Sequence, residues 1–302
     1  MTFTEGGKFE GGRVRKGGGG SRRTGAIAGG GIGAILVALL AMFFGNGGSL
    51  GVLTNALTGD GGQVQEPQGE GGFVGDCTAA QANTDLECEL SATVQSLDAY
   101  WQEALPQQAG VQYTLPEVES FDASTSTACG PATADTGPFY CPPDQTIYID
   151  VSFYQELVSR FGSSGGPLAR EYVVAHEMGH HIENLVGAMD EAQRGGTGAE
   201  SDSVRIELQA DCYAGMWAAH ASTTVDPDTG VVFLNPPTEQ DLQDAVSAAQ
   251  AVGDDHIQAA STGRVNPDLF THGTSKQRVE WFARGYNGGT LQTCDALHAT
   301  RL

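Results

Sequence analysis

His176-Glu177-Met178-Gly179-His180 puts two imidazoles four residues apart, with a carboxylate directly after the first. On a helix, residues four apart share a face, so both rings can reach one metal ion. Glu177, one position along, borders the side where an ion-bound water would sit. That pattern suits hydrolysis: the ion acidifies a water and polarises a carbonyl, and the carboxylate takes the proton. The bland reading is two surface histidines around a glutamate. Two imidazoles leave a tetrahedral ion short of a third protein ligand. The candidate is Glu207, in Glu207-Leu-Gln-Ala-Asp-Cys212, on a second predicted helix. Asp211 lies one turn further on the same face, where it can accept a hydrogen bond from a ligand imidazole and fix its tautomer. Taken alone, the two carboxylates would read equally as a solvated pair on a helix surface.

These residues need two helices held side by side. A helix is predicted from about Leu168 to Val186, with Pro167 at its first turn, and another from Ser203 to Ala221. Leu90 to Leu105 has helical apolar spacing and is expected to close at Pro106. Val111 to Phe121 and Thr146 to Asp150 read as strands, Ser152 to Phe161 as a short helix capped by its serine. Residues 187–200 read as a Gly-rich loop. Glu239 to Ala260 and Ser275 to Gly285 complete the set, the last with Trp281 and Phe282 facing inward. A helix, then strands, then helices is an α+β arrangement with a small sheet. The Ile147–Asp150 strand is expected to be the edge along which an extended peptide could pair.

The chain has 302 residues and a net charge of −22, which argues against a nucleic-acid partner. The charge is uneven. Residues 1–25 hold six basic and two acidic residues, a balance of +4, and the segment 26–44 has no charged residue. Nineteen apolar or small residues rise about 28 Å as a helix, near the hydrocarbon thickness of a bilayer. The other readings of this run are a buried core helix, which would show a polar face, and a cleavable signal peptide, which usually has a shorter apolar core. The expected organisation is a disordered basic cytoplasmic segment (1–25), a single transmembrane anchor (26–44), a flexible linker (45–76) and an extracytoplasmic domain (77–302). All six cysteines follow the apolar run, where an oxidising compartment permits disulfides. Proximity suggests Cys77–Cys88 and Cys129–Cys141, leaving Cys212–Cys294.

The chain resembles the bacterial neutral zinc metallopeptidases, the YpfJ-like family. The likeness rests on six separated motifs in order: Gly137-Pro-Phe-Tyr-Cys-Pro142, Ile147-Tyr-Ile-Asp150, His176-Glu-Met-Gly-His-His181, Glu207-Leu-Gln-Ala-Asp-Cys212, Gly253-Asp-Asp255 with Ile257, and Thr271-His-Gly-Thr-Ser-Lys-Gln-Arg278. It covers roughly 90–300, together with the single N-terminal span. It departs at Ile182-Glu183-Asn184, where family members often carry Gln or a polar β-branched residue. The resemblance implies a zincin-like domain, a Zn2+ cofactor, Glu207 as third ligand and a peptide or protein substrate. A more distant likeness, to HtpX-like and CAAX prenyl proteases, implies that His272 stabilises the anionic intermediate and that Arg278 supports it. Without that likeness they read as a helix-capping histidine and a surface arginine. His181, rotated about 100° from His180, is expected to be structural. Asp254 and Asp255 read as a solvated helix end, or as a calcium-binding or turn-capping pair. The competing functional readings are a zinc-binding envelope scaffold or chaperone-like protein without proteolysis, and a metal-dependent amidase acting on cell-wall peptides.

Overall fold

The computed structural model describes residues 1–17, 72–193 and 195–302. The domain is built on a helix that carries both histidines and on three others that pack against it. In chain order the helices are α1 (Ala79–Ala82), α2 (Leu86–Ala109), α3 (Phe153–Ser159), α4 (Pro167–Val186), α5 (Ala188–Glu191), α6 (Asp202–His220), α7 (Glu239–Ala251), α8 (Asp254–Thr262) and α9 (Ser275–Tyr286). Pro167 sits at the first position of α4, where its missing N–H costs nothing, and Gly187 ends it in the left-handed region at φ 82°. Ser201 caps α6 through the Val204 amide, and Thr274 and Gln277 form a reciprocal capping box on α9. Trp101, Trp217 and Trp281 are fully buried.

Glycines set the helix spacings. A Cβ on Gly179 would lie 2.9 Å from the Ala210 backbone, so α4 and α6 meet at main-chain distance. A Cβ on Gly215 would lie 2.1 Å from the Phe282 carbonyl oxygen, and one on Gly285 1.9 Å from that of Cys212. The α6–α9 crossing is therefore closed to any larger residue.

The strands are β1 (Lys8–Phe9), β2 (Arg15–Lys16), β3 (Cys77–Thr78), β4 (Glu117–Ser120), β5 (Ser124–Thr127), β6 (Gly130–Thr133), β7 (Phe139–Cys141) and β8 (Thr146–Ile149). One mixed sheet has the order β2-β4-β8-β7; β5–β6 and β1–β3 are separate pairs. The strand expected at the edge is internal. β8 pairs parallel with β4 and antiparallel with β7, which leaves β7 as the edge beside α4. Strand neighbours are set by long-range pairing, which a local pattern does not carry.

Other expectations shift in detail. α2 runs through Pro106 for another turn and ends at Gly110, in the left-handed region at φ 68°, because a proline in the last turn forfeits only one backbone bond. The strand expected over Val111–Phe121 is confined to Glu117–Ser120. Ser152 precedes α3 without making a side-chain cap. The loop expected at 187–200 contains the short α5. The helix expected over Glu239–Ala260 breaks into α7 and α8 at Gly253, whose Cβ would lie 2.4 Å from the Ser275 backbone nitrogen. The disulfides are Cys77–Cys88, Cys129–Cys141 and Cys212–Cys294, the pairs that proximity suggested. The last ties α6 to the C-terminal tail, where Arg205 also donates to the carbonyls of Ala296 and Ala299 at 2.7 and 2.8 Å.

The largest correction concerns residues 1–25. Their Gly- and Arg-rich composition predicts disorder, yet residues 1–17 are folded onto the domain. Lys8–Phe9 pairs with Cys77–Thr78, and Arg15–Lys16 adds a strand beside Glu119–Ser120. Met1, Phe3, Phe9 and Val14 are buried, so the arm's few apolar residues join the domain's core. Ordered structure also reaches back to Gly72, within the stretch expected as linker. The apolar run 26–44 lies outside the described residues, and no described helix is long and apolar enough to cross a membrane.

Candidate metal centre

α4 and α6 cross at Gly179, and that contact lets the histidines of one helix reach the carboxylates of the other. His176 Nε2 is 3.1 Å from Glu207 Oε2, and His180 Nε2 is 3.6 Å from Glu207 Oε1. One ligand atom from each of the three lies within 4.8 Å of the other two, and all three residues are buried. Zinc bonds of about 2.1 Å in tetrahedral geometry put neighbouring ligands about 3.4 Å apart. The donor set and its spacings therefore fit that ion.

Each imidazole turns Nε2 to this cluster and Nδ1 to a carboxylate behind it. His176 Nδ1 meets Asp211 Oδ1 at 2.9 Å, and His180 Nδ1 meets Glu183 Oε2 at 2.7 Å. With Nδ1 donating, Nε2 keeps its lone pair for a metal. Asp211 also accepts from Arg278, Nε at 2.8 Å and one terminal nitrogen at 2.9 Å, and from the Tyr172 hydroxyl. Burial would raise the Asp211 pKa, but the charges of Arg278 and His176 hold it below the usual carboxylate range. The Glu183 carboxyl lies well above that range, because burial and the Glu207 charge both oppose ionisation. Burial alone would lower His176, but Asp211 and Glu207 raise it to about 9. His180 falls to about 3, mainly through burial.

Glu177 lies beside this cluster, with one carboxylate oxygen buried and unpartnered. Burial pushes it up to about 7, despite His176 and a hydrogen bond from the Tyr140 backbone on β7. His272 comes from the loop before α9. Burial would lower its pKa, yet the charges of Glu207 and Asp254 raise it. Asp254 is fully buried and accepts the backbone amides of Thr271, His272 and Gly273 at 2.7, 2.7 and 2.9 Å, besides facing His272 Nδ1 at 3.3 Å. It shapes the loop that delivers His272, the turn-capping alternative rather than a solvated helix end. Arg278 lies behind His176, its terminal nitrogen 3.3 Å from Nδ1, and it bonds Asp211 and the Tyr172 hydroxyl. His181 points to the sheet, with the Tyr140 hydroxyl at 3.0 Å and the Thr114 carbonyl at 2.7 Å, the structural position its rotation predicted.

The family model described as "Putative neutral zinc metallopeptidase" matches residues 5–297 of this chain. The chain belongs to the neutral zinc metallopeptidase family. Protein Rv2575 of Mycobacterium tuberculosis (strain ATCC 25618 / H37Rv) is 51% identical over 225 residues, which span 74% of this chain and 75% of that protein. Protein YpfJ of Escherichia coli (strain K12) is 43% identical over 194 residues, 63% of this chain and 64% of that protein. No solved structure matches. Membership and the buried His176, His180 and Glu207 cluster together make this neutral zinc metallopeptidase a zinc-dependent hydrolase of peptide bonds.

Two participants, Glu183 and Tyr172, carry no assigned role in the sequence, and Asp254 is read there only as one of several alternatives. Glu183 appeared there only as a departure from a resemblance, although a carboxylate three residues after a ligand histidine is a usable signal. Tyr172 is four residues before His176, on the same face. Asp254 carries no local signal, because its partners lie 17 to 19 residues on.

Proposed function

We propose that the domain is an endopeptidase in which His176, His180 and Glu207 hold zinc and Glu177 is the general base. The observation that carries this is the cluster of three ligand atoms from two helices with the buried Glu177 carboxylate beside it. Zinc, when bound, supplies a Lewis acid and an acidified water. Glu177, whose pKa sits near neutrality, accepts a proton from the attacking water and later gives it to the leaving amine. His272 donates to the oxyanion of the tetrahedral intermediate, held in place by Asp254. Asp211 fixes the His176 tautomer, and Arg278 keeps Asp211 charged. Arg278 is thus a positioning residue. An extended substrate pairs along the free edge of β7, beside Glu177. The three disulfides support an extracytoplasmic site of action, and the run 26–44 supports attachment to the membrane there.

The test is cleavage of an unfolded protein by zinc-loaded wild type and Glu177→Gln, with metal content measured on both. The variant should keep about one zinc per chain and lose at least about a hundredfold in turnover. Equal cleavage by the two proteins would remove Glu177 from the mechanism.

A further inference from the structure

We propose that the free edge of β7 reads a substrate through one residue, Tyr140, and that Glu177 occupies the single outward backbone donor of that edge until a substrate carbonyl displaces it. The inference rests on the peptidase reading above and deepens it, since it names the main-chain position that selects the substrate. The direction of each peptide group follows from the pairing. On the β4 side of β8, the Glu117 amide donates to the Gln145 carbonyl and the Phe121 amide to the Ile149 carbonyl, both at 3.0 Å. Residues 145, 147 and 149 therefore face β4, and Thr146 and Tyr148 face β7. Their partners there are Cys141 and Phe139. Tyr140, opposite Ile147 and between those two, turns its N–H and C=O away from the sheet.

Alternation puts residues 138 and 142 next on the same side, and both are proline. Neither has an N–H to give, so Tyr140 supplies the one outward donor of residues 138–142. Prolines at a free edge also deny it to other chains, which need a run of donors and acceptors to add a strand. What stays open is one N–H and C=O pair, and the N–H is taken: the Glu177 carboxylate accepts it.

Tyr140 is fixed from both ends of the residue. Its hydroxyl lies 3.0 Å from His181 Nδ1 and accepts from Asn184 Nδ2 at 2.9 Å, which ties it to the helix that carries Glu177. Cys141 is joined to Cys129, and the Phe139 ring stacks on Tyr148 with centroids 5.1 Å apart. With the strand held in this way, a competing acceptor is what frees the donor. A substrate residue that pairs with Tyr140 offers its carbonyl to the Tyr140 N–H and its own N–H to the Tyr140 carbonyl. Glu177 is then released at the moment a peptide is docked beside it. The chemistry selected is main chain: an extended segment with a free N–H at the paired position, where proline or an N-methylated residue is refused.

The experiment uses the full zinc-loaded chain, isotope-labelled at its tyrosine nitrogens, with the Tyr140 amide resonance identified by its loss in Tyr140→Phe. Glu177→Gln keeps a side-chain oxygen that accepts this amide, whereas Glu177→Ala leaves the amide free. The probe is a terminally blocked peptide of alternating alanine and lysine, which neither variant should cleave. It should shift the Tyr140 amide in both and bind Glu177→Ala about three- to tenfold more tightly, the worth of one hydrogen bond. Adding Pro138→Ala and Pro142→Ala to Glu177→Ala should tighten binding again, by about threefold or more. The same peptide N-methylated throughout should bind neither variant. Equal affinities for Glu177→Ala and Glu177→Gln would overturn the displacement, and no gain from the restored amides would overturn the single-residue limit. A Tyr140 amide that does not respond to the peptide in either variant would overturn the edge as the reading surface. Failure of the peptidase reading is seen separately, as a Tyr140 amide that responds in the variants while zinc-loaded wild type leaves the peptide intact.

Discussion

His176 and His180 are offered to the metal in the same way and supported in opposite ways. Each turns Nδ1 to a buried carboxylate. Asp211 reaches His176 from another helix, with Arg278 and Tyr172 behind it; Glu183 reaches His180 from the same helix, three residues on. The guanidinium holds the Asp211 pKa below the usual carboxylate range, whereas burial and the Glu207 charge push that of Glu183 well above it. The same hydrogen bond is therefore charge-assisted on one side and close to neutral on the other. What looks like a symmetric pair of ligands has one electrostatically anchored member and one that is only oriented.

Proton competition gives the widest test of this asymmetry. His176 holds a proton up to about pH 9 in the metal-free chain, and zinc must displace it. Apparent zinc affinity should rise about tenfold per pH unit up to about 9, and in Asp211→Asn the rise should level off at lower pH. Competition with a chromogenic chelator across pH reads both. Without metal the sign reverses: a raised histidine pKa stabilises the fold below about 6.5, and that contribution is lost as pH rises through about 9. Thermal melts of the chelated protein should show this fall.

Asp211→Ala comes next. It leaves Arg278 buried without its carboxylate and His176 without its orienting partner. Stability should drop by about 3–5 kcal/mol and zinc affinity by about 10–100-fold, read by urea denaturation and metal titration. On the other side, Glu183→Ala should cost zinc affinity about tenfold, since only orientation is lost. The smallest effect belongs to Glu183→Gln, whose amide oxygen accepts the same bond, with affinity within about threefold of wild type. Equal losses for the alanine and glutamine variants would show that the Glu183 charge matters and that the two histidines are alike after all.

The cluster of His176, His180 and Glu207 was legible because helix geometry carries it. A four-residue spacing puts His176 and His180 together, and Glu207 lies in a pattern that holds a second carboxylate one turn away. The helices that bear them came out within a residue or two, for their caps and apolar spacing are local. What was missed is long-range. Strand order depends on which segments pair, so β8 read as an edge when it is internal. The break at Gly253 depends on a close approach to Ser275 that no local pattern records. The N-terminal arm has the composition of a disordered segment, and it folds because its few apolar residues and its two short strands find partners elsewhere.

One face of α6 holds Glu207 and Asp211 toward the metal, while Arg205, Gln209 and Cys212 hold the last residues of the chain. The helix that carries Glu207 is thus also the one to which residues 294–299 are tied. A product truncated before Cys294 lacks every one of those ties, and a reduced chain lacks the covalent one. Loss of residues 294–299, or reduction of Cys212–Cys294, would therefore loosen the helix that carries Glu207.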